Sequence, residues 1–421
     1  MRIAFTKKDL NTTAWFSLEK LIHLIAGIYI VPKIFNTLGT VDIGKLKFVE
    51  SVLGMFAPLF SLGLASVCVR EIVFKPQKSN QIITTALFIR IITWLCIAIG
   101  FTCYLTLTKN SSLFSIYAIL ILGYLFKLCD VFEYLLLAKK LAKYIFIGKT
   151  TSLLCVLLIQ YYGVTNNQNV SFFALIITID FLLQGVFFIV FLIIKKELLL
   201  KQWRFSKKLA KDLLIMAFPL IISEALIMFY IGIDELFLKS FYGDHANGIF
   251  ASVQFLVIGL SWTLGFAIIN AIYPSLAESY HTNRDNYYIK TKQLLFSLII
   301  LGISIAILYT LFGNKILETY FSKQYTDATA ALHIFCWAPL FVFIGMFYEK
   351  HLLNANRLNH NVYRFALGCL VNIVLCYTLI PKYQVNGAAI AVLISHFITN
   401  IGYIAFDKKT KKEIIFLRNT K

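Results

Sequence analysis

The stretch that decides the fold is Leu38-Gly39-Thr40-Val41-Asp42-Ile43-Gly44, because its pattern recurs in the second half of the chain as Tyr242-Gly243-Asp244-His245-Ala246-Asn247-Gly248. In both copies the two glycines stand five positions apart, and a polar residue follows six positions later, Glu50 in the first and Gln254 in the second. Each copy is a short polar turn between two long apolar runs. The pattern predicts one helical hairpin used twice, and such duplication is typical of membrane carriers built from two lobes.

The composition predicts an all-α integral membrane protein. Of the 421 residues, 59% are hydrophobic and 14% are charged, and the mean hydropathy is +0.76. About 20 apolar residues span a bilayer as a helix. On that criterion the chain contains twelve transmembrane helices, which we place at 11–38, 44–69, 81–107, 112–138, 143–162, 170–194, 209–239, 245–276, 291–312, 326–353, 361–380 and 387–406.

The net charge of +19 would suggest nucleic acid as a partner if the protein were soluble. Counted over alternate loops, however, 28 Lys and Arg residues lie on the side of both termini and 7 on the other. By the positive-inside rule, both termini and the basic segment between the halves are cytoplasmic. The charge excess is thus explained by topology, and we expect no nucleic-acid partner.

No motif for a metal, a nucleotide or catalysis is present. The eight cysteines include no CxxC pair, so we expect no metal site, and no phosphate-binding loop for ATP occurs. No predicted loop is large enough to hold an active site. We therefore expect a protein that is not an enzyme and has no cofactor, with coupling to H⁺ or Na⁺ left open.

The duplication predicts the domain organisation. Residues 136–141 resemble residues 353–358, so each half has six helices, and an even number makes the halves parallel repeats. The predicted lobes are 1–194 and 212–421, the second including a basic tail. The basic connector 195–211, with interleaved Leu, Trp and Phe residues, predicts an amphipathic cytoplasmic helix, and a plain tether is the alternative.

Several short motifs occur in the same order as in a known family. They are Leu38-Gly39-x4-Gly44, Ser61-Leu62-Gly63-Leu64, Ile233-Asp234-Glu235 before Tyr242-Gly243-x4-Gly248, Ile272-Tyr273-Pro274-Ser275-Leu276-Ala277, and Ile380-Pro381-Lys382-Tyr383-x-Val385-x-Gly387-Ala388-Ala389-Ile390-Ala391. Over essentially the whole chain the sequence resembles the polysaccharide-export branch, with its Wzx-type O-antigen flippases, of the multidrug/oligosaccharidyl-lipid/polysaccharide (MOP) exporter superfamily. One departure is Gln384, where the pattern has a glycine.

This resemblance implies a MATE-like fold of two six-helix lobes that work by alternating access in the bacterial inner membrane. It implies a cargo of undecaprenyl-pyrophosphate-linked oligosaccharide, such as an O-antigen or other surface polysaccharide unit, flipped from the cytoplasmic to the periplasmic leaflet. The implied partners are this lipid-linked substrate, membrane lipids and the polysaccharide polymerase machinery.

Charged residues inside the predicted spans provide an independent test of that cargo. A charge at mid-bilayer costs about 2.5–3.5 kcal/mol, so each needs a partner or a function. Four cations, Lys20, Arg90, Lys127 and Lys149, fall in the cytoplasmic half of the first lobe, where a pyrophosphate would enter. Arg90 is the first choice because no acid lies within a helical turn of it. The structural alternatives are pairing of Lys20 with Glu19 or of Lys127 with Asp130, and snorkelling of Lys149.

The acids and prolines suggest how transport is driven. Glu224 and Asp180 lie at mid-span, and either could carry a coupling proton or sodium ion. Glu50, Asp234 and Glu235 lie nearer the periplasmic side, where we expect solvated rim residues. Pro58, Pro219 and Pro274 are hinge candidates, with a static kink as the alternative.

Three functions therefore compete. The first is a flippase for lipid-linked oligosaccharide, the second a MATE-like ion-coupled antiporter of small molecules, and the third a polysaccharide polymerase or ligase. The cationic first lobe favours an anionic cargo over cationic drugs, and the short outward loops disfavour the enzyme.

Overall fold

The computed structural model describes residues 7–108, 111–197, 203–357 and 359–407, and within these ranges the regular structure is helical. The connector residues 198–202 and the basic tail 408–421 lie outside the described residues. The α-helices are α1 Lys7–Ser61, α2 Leu64–Phe74, α3 Ser79–Thr108, α4 Ser111–Lys127, α5 Asp130–Ala138, α6 Ala142–Thr165, α7 Val170–Ile194, α8 Lys207–Gln254, α9 Leu260–Thr282, α10 Arg284–Tyr320, α11 Thr329–Phe335, α12 Ala338–Asn354, α13 Asn359–Phe397 and α14 Tyr403–Phe406. Short 3₁₀ segments at 76–78 and 323–328 and π segments at 255–259 and 398–402 connect them.

The chain is a multi-pass membrane protein. Among the described residues, eight helical stretches are long and apolar enough to cross a bilayer, or nine if the bent pair Lys323–Phe335 and Ala338–Asn354 counts as one span. The all-α prediction is confirmed at this level. The chain is almost entirely helical because, in lipid, every backbone polar group must be hydrogen-bonded within the protein.

Both copies of the duplicated turn have nearly the same backbone conformation. Gly39 has φ 71° and ψ 176°, and Gly243 has φ 77° and ψ −169°, so each interrupts its long helix in a region that glycine adopts without strain. In α8 the chain turns back here, since Gln254 Nε2 donates to Asp234 Oδ2 at 2.7 Å. An unbroken helix would separate residues twenty positions apart by about 30 Å.

The two turns also pack against each other through their second glycines. A Cβ on Gly44 would overlap the carbonyl oxygen of Asp244, and a Cβ on Gly248 would overlap that of Thr40. The two contacts are reciprocal, because Thr40 and Asp244 each follow the first glycine of their own turn. Asn247 Nδ2 donates to Gly44 O at 3.0 Å and adds to the contact. The glycines of the motif are therefore required for close backbone approach as well as for the turn.

A third helix break occurs at Gln384 in α13. Its φ of 53° and ψ of −128° belong to a region that favours glycine, which explains why a glycine is expected there. The chain again turns back, because Ser395 Oγ donates to Asn372 Oδ1 at 3.3 Å across the break. The glutamine therefore holds a strained backbone.

The structure divides into two compact units, of which one is continuous in sequence. The continuous unit is Val49–Met228, and the discontinuous unit comprises Met1–Phe48 and Phe229–Lys421. The predicted lobes 1–194 and 212–421 follow the sequence repeat and remain a prediction. In the discontinuous unit, α1 is tied to the end of α10, where Asn36 Nδ2 donates to Tyr320 O at 2.9 Å.

Inside the continuous unit, small residues allow close helix packing. Gly123 on α4 lies against Thr178 on α7, Gly185 on α7 lies against Cys129, and Gly148 on α6 lies against Phe188. Such small residues are the usual means by which helices approach within a membrane, where water provides no hydrophobic drive.

Three predicted spans contain breaks that the apolar pattern did not predict. The span 44–69 breaks at Leu62 and Gly63, both with positive φ, and the span 112–138 breaks between α4 and α5. The span 326–353 breaks between α11 and α12, with a bend of 50°. Hydropathy averages over many residues and is insensitive to a break of two or three.

The connector prediction, a helix over 195–211, is contradicted in part. Residues 195–197 and 203–206 are not helical, whereas 207–211 are helical as the start of α8. Lys196 has φ 57° and ends α7, and Glu197 N donates back to Leu192 O at 2.9 Å.

Replacing Gln384 with glycine should stabilise the protein. A non-glycine residue in this region costs about 1–3 kcal/mol, so Gln384→Gly should raise the midpoint of thermal unfolding in detergent by about 2 °C. The matched control is Gln384→Ala, which keeps a Cβ and should give no rise. An unchanged or lower midpoint for Gln384→Gly would show that the break is not strained.

The reciprocal glycine contact predicts a severe effect from one methyl group. Gly248→Ala forces a Cβ into the backbone of Thr40, so the yield of monodisperse protein in size-exclusion chromatography should fall severalfold. Gly54→Ala is the control, since a Cβ on Gly54 meets nothing within 4 Å. Equal yields for the two variants would contradict the contact.

Candidate functional site

The continuous unit contains a cavity of about 170 Å³. It lies beside two helix breaks, the one at Leu62 and Gly63 between α1 and α2 and the one between α4 and α5. Its wall combines two cations, two acids, one serine and an apolar lining. The lining residues are Ala57, Pro58, Phe60, Ser61, Arg90, Tyr124, Lys127, Asp130, Glu224 and Met228.

Arg90 is held by backbone oxygens at both breaks. The side chain is 1% exposed, and Nε donates to Phe60 O at 2.8 Å, Nη1 to Leu128 O at 3.3 Å and Nη2 to Lys127 O at 3.5 Å. Nη1 also donates to the Tyr134 hydroxyl at 3.4 Å. Arg90 was the first choice for the cargo because no acid lies within a helical turn of it. The structure shows that neutral backbone carbonyls bind the guanidinium instead.

The geometry of the break between α4 and α5 explains why those carbonyls are available. The chain tightens there into bonds three residues apart: Leu128 N to Leu125 O, Cys129 N to Phe126 O and Val131 N to Leu128 O. In an α-helix, Val131 N would donate to Lys127 O, four residues earlier. Here it donates to Leu128 O instead. The carbonyl of Lys127 is left to accept from Arg90.

Lys127 presents an ammonium group to the cavity. It ends α4, and within the described residues its Nζ forms no hydrogen bond or ion pair. The Nζ atom lies 4.8 Å from the ring centroid of Phe181 and 5.4 Å from that of Tyr124, so aromatic faces partly stabilise the charge. Asp130, three residues on, lines the same cavity and places a carboxylate near the Lys127 charge.

Glu224 also lines the cavity and accepts a hydrogen bond at the break between α1 and α2. Its Oε2 accepts from Ser61 Oγ at 3.0 Å, and Ser61 Oγ accepts in turn from Gly63 N at 3.3 Å. Pro58 lies one turn earlier, with its carbonyl accepting from Leu62 N at 2.9 Å. The carboxylate is therefore attached to the residues that bend the helix.

The hinge candidates have different surroundings. Pro58 adjoins the break at Leu62 and Gly63, whereas α8 and α9 continue as helix through Pro219 and Pro274. Gly63 packs against Leu220, so the break also meets α8 next to Pro219. The hinge function stays a prediction for all three.

Lys149 forms an ion pair with an acid on α5. Its Nζ lies 2.8 Å from Glu133 Oε1, and both side chains are largely buried. Glu133 lines a second cavity of about 550 Å³ between α2 and α5, which Asp130 and Arg70 also line. Asp130 thus borders both cavities, and Lys149 supports the wall between α5 and α6.

The remaining predicted site residues lie apart from the cavity. Lys20 belongs to the discontinuous unit, where its Nζ is 3.4 Å from Glu19 Oε1, so the structural alternative for this pair is observed. Asp180 lines neither cavity; its Oδ1 accepts from Ser152 Oγ at 2.6 Å and its Oδ2 from Gln184 Nε2 at 2.9 Å. The structure therefore brings together Arg90, Lys127 and Glu224.

The expectation of solvated rim acids is wrong for Asp234 and Glu235. Asp234 is 0% exposed and Glu235 is 8% exposed, although both lie close to the turn at Gly243. Distance from a helix end does not measure solvation where the turn itself is packed. Gln254, which we had matched to Glu50 only by position, is the group that bonds Asp234.

Sequence reasoning also missed Ser61, although it lies in a quoted motif. The signal was available, since a serine two residues before a glycine in an apolar span is a plausible break. Within the part of the chain described, no group of three His, Cys, Asp or Glu side chains is placed to hold a metal ion.

The cavity can hold charges of both signs. Carbonyl dipoles bind the Arg90 guanidinium without neutralising it, and Lys127 has donors to spare, so a small anionic group can bind there. Glu224 can take up or release a proton or a small cation. A change of its charge would act directly on the bond to Ser61.

Comparison with known proteins gives the family. The family described as polysaccharide biosynthesis protein matches residues 10–280. The capsular polysaccharide biosynthesis protein CapF of Staphylococcus aureus is 25% identical over 395 residues, which cover 90% of this chain and 95% of CapF. An uncharacterized membrane protein of Methanocaldococcus jannaschii is 26% identical over 242 residues, covering 55% of this chain and 47% of that protein.

Solved structures give the fold. An inward-facing multidrug resistance MATE family transporter of the MOP superfamily superposes with a TM-score of 0.75 at 14% identity, covering 100% of this chain and 98% of that one. A MOP superfamily transporter from Pyrococcus furiosus superposes with a TM-score of 0.68 at 13% identity, covering 98% and 97%. The resemblance drawn from the motifs is thus confirmed: the chain belongs to the polysaccharide biosynthesis protein family and has the fold of the MOP superfamily transporters.

Proposed function

We propose that this protein is a flippase that moves an undecaprenyl-pyrophosphate-linked oligosaccharide from the cytoplasmic to the periplasmic leaflet of a bacterial inner membrane. The cargo is an O-antigen or other surface polysaccharide unit, and the carrier works by alternating access. The polysaccharide polymerase machinery would then receive the cargo.

The single observation that carries this proposal is the ammonium group of Lys127 in the cavity. It has no hydrogen-bonded acid among the described residues, and the Arg90 guanidinium lines the same wall. Placing two cations in an apolar span is costly, and an anionic ligand offsets that cost. Membership of the polysaccharide biosynthesis family makes a lipid-linked sugar phosphate the matching ligand.

We further propose the twelve-span topology with both termini in the cytoplasm. Three of the eight long helical stretches contain a non-helical residue inside one continuous helix, at Gly39, Gly243 and Gln384. Counting each as two spans and the bent pair as one gives twelve. The Lys and Arg asymmetry then sets the orientation.

Ion coupling is proposed for Glu224 rather than Asp180. Glu224 lines the cavity and bonds the break, whereas the carboxylate of Asp180 is occupied by Ser152 and Gln184. A proton or sodium ion exchanged at Glu224 would reset the empty carrier. Each cargo charge that crosses the field also contributes about 2.3 kcal/mol per 100 mV toward outward movement.

A MATE-like antiporter of cationic small molecules is the second candidate, and one observation favours it. Asp130 and Glu224 line the same cavity as the two cations, so a cationic ligand also has counter-charges there. The two functions differ in the cavity residue on which the ligand depends: a cationic cargo needs the acids, and an anionic cargo needs Lys127.

Removal of the Lys127 charge tests the proposal. A charge-assisted contact contributes about 1.5–3 kcal/mol, so Lys127→Ala should reduce surface polysaccharide in a complemented deletion strain by about tenfold or more. Lys127→Arg should restore part of the loss. Lys143→Ala, which removes an exposed lysine on α6, is the matched control and should behave as wild type. Wild-type polysaccharide from Lys127→Ala would refute the anion site.

Reporter fusions test the topology. Alkaline phosphatase, which is active only in the periplasm, should be active when fused after Asn167 or Ser322 and inactive after Asn283 or Ala355. Fluorescent-protein fusions at the same four positions should give the opposite pattern. Inactive phosphatase at both Asn167 and Ser322 would exclude the proposed orientation.

A further inference from the structure

A short series of contacts connects Glu224 to Lys127 through Arg90. Glu224 Oε2 accepts from Ser61 Oγ at 3.0 Å, the neighbouring carbonyl of Phe60 accepts from Arg90 Nε at 2.8 Å, and the carbonyl of Lys127 accepts from Arg90 Nη2 at 3.5 Å. All of these residues belong to the continuous unit. The Glu224 carboxylate is therefore linked, through Ser61, Phe60 and Arg90, to the backbone of Lys127.

The first part of this series is the break between α1 and α2. Leu62 and Gly63 have φ values of 52° and 56°, so the helical bonding pattern stops at Ser61. The Ser61 hydroxyl donates to Glu224, accepts from Gly63 N and lies 3.3 Å from Pro58 O. Glu224 is therefore bonded to the last residue of α1 before this break.

The second part is the break between α4 and α5. The tight turn at Leu128 and Cys129 frees the Lys127 carbonyl, and Arg90 binds it together with the Leu128 carbonyl. Because the bonded carbonyl is that of Lys127 itself, its movement would carry the Lys127 side chain with it. Arg90 is thus bonded to the backbone that carries the Lys127 side chain.

The geometry of Arg90 suits it to join the breaks rather than to bind cargo. A guanidinium has five N–H donors in a rigid plane, and four contacts, to Phe60, Leu128, Lys127 and Tyr134, already use that plane. The side chain is 1% exposed. A phosphate that bound Arg90 would have to displace hydrogen bonds between the guanidinium and backbone carbonyls at both breaks.

We propose that Arg90 is a positioning residue that couples Glu224 to Lys127 by making the two helix breaks move as one. When Glu224 releases Ser61, the first break shifts, Arg90 transmits the shift to the second, and Lys127 is turned away from the anion. In this proposal the joined breaks are the element with two arrangements that allosteric coupling requires. The identity of the anion rests on the proposed function; the mechanical link does not.

Hydrogen–deuterium exchange on the full-length protein in detergent tests the link without any ligand. Ser61→Ala removes the hydroxyl without changing any charge, and it should speed amide exchange in its own break, 58–64, and also in the distant break, 126–132. Arg90→Lys should speed exchange in both, because an ammonium group cannot reach both sets of carbonyls. The control Thr102→Ala removes a hydroxyl bonded only within α3 and should change neither segment. Exchange that rises only at 58–64 in Ser61→Ala would overturn the proposal.

Binding of geranyl pyrophosphate, measured by calorimetry, tests the effect on the anion site. Ser61→Ala should weaken binding about fivefold in the wild-type background and less than about twofold in Arg90→Lys, in which the link is already broken. Loss of all binding in Arg90→Lys with unchanged exchange at both breaks would make Arg90 itself the ligand and overturn the proposal. If the wild-type protein binds no geranyl pyrophosphate, the proposed function fails, and the exchange result alone decides the link.

Discussion

A broken helix inside a membrane leaves backbone carbonyls without partners, and the continuous unit of this protein depends on how they are satisfied. No water is available in the hydrocarbon, so the protein must supply donors. Arg90 supplies them to the carbonyls of Phe60 and Lys127, one at each of two breaks, and also donates to Leu128 O, which accepts from Val131 N as well. One buried cation thereby allows two helices to be interrupted in the same region, and the interruption creates the cavity.

The polar and charged side chains of the cavity lie at the same breaks. Lys127 and Asp130 flank one of them, and Ser61, bonded by Glu224, ends the helix at the other. An apolar span that ran without a break would direct these side chains into its neighbours or into lipid. The charges are of both signs, which suits a carrier that exchanges an anionic cargo for a proton or cation in one place.

The duplicated turns are the equivalent constraint in the discontinuous unit. Gly44 and Gly248 each lie against the backbone of the other turn, so neither position accepts a side chain. This contact joins the first part of α1 to α8. It also explains why the acids beside the turn, Asp234 above all, are buried rather than solvated.

Features that depend on local pattern or on overall composition could be predicted from the sequence. The repeated glycine turn, the apolar spans, the family and the unusual position of Gln384 are of this kind, because each leaves a signal within a few residues or over a whole span. Features that depend on contacts between distant residues could not. The carbonyl partners of Arg90, the pairing of Lys149 with Glu133 and the burial of Asp234 each join residues from different helices, and hydropathy carries no information about such pairs. Of the four cations predicted to form the site, Arg90 and Lys127 line the cavity, together with the acids Asp130 and Glu224.

The most direct test of the central claim is transport by the purified full-length protein in proteoliposomes. A fluorescent isoprenoid-pyrophosphate-linked oligosaccharide is placed in one leaflet, and its arrival in the other is followed with a membrane-impermeant lectin. Our account predicts lectin access that rises with time in wild-type vesicles, falls at least severalfold with Lys127→Ala and responds to an imposed pH or sodium gradient. Vesicles that leave this lipid in its original leaflet, yet exchange a cationic dye for protons in an assay that depends on Asp130 and Glu224, would contradict it.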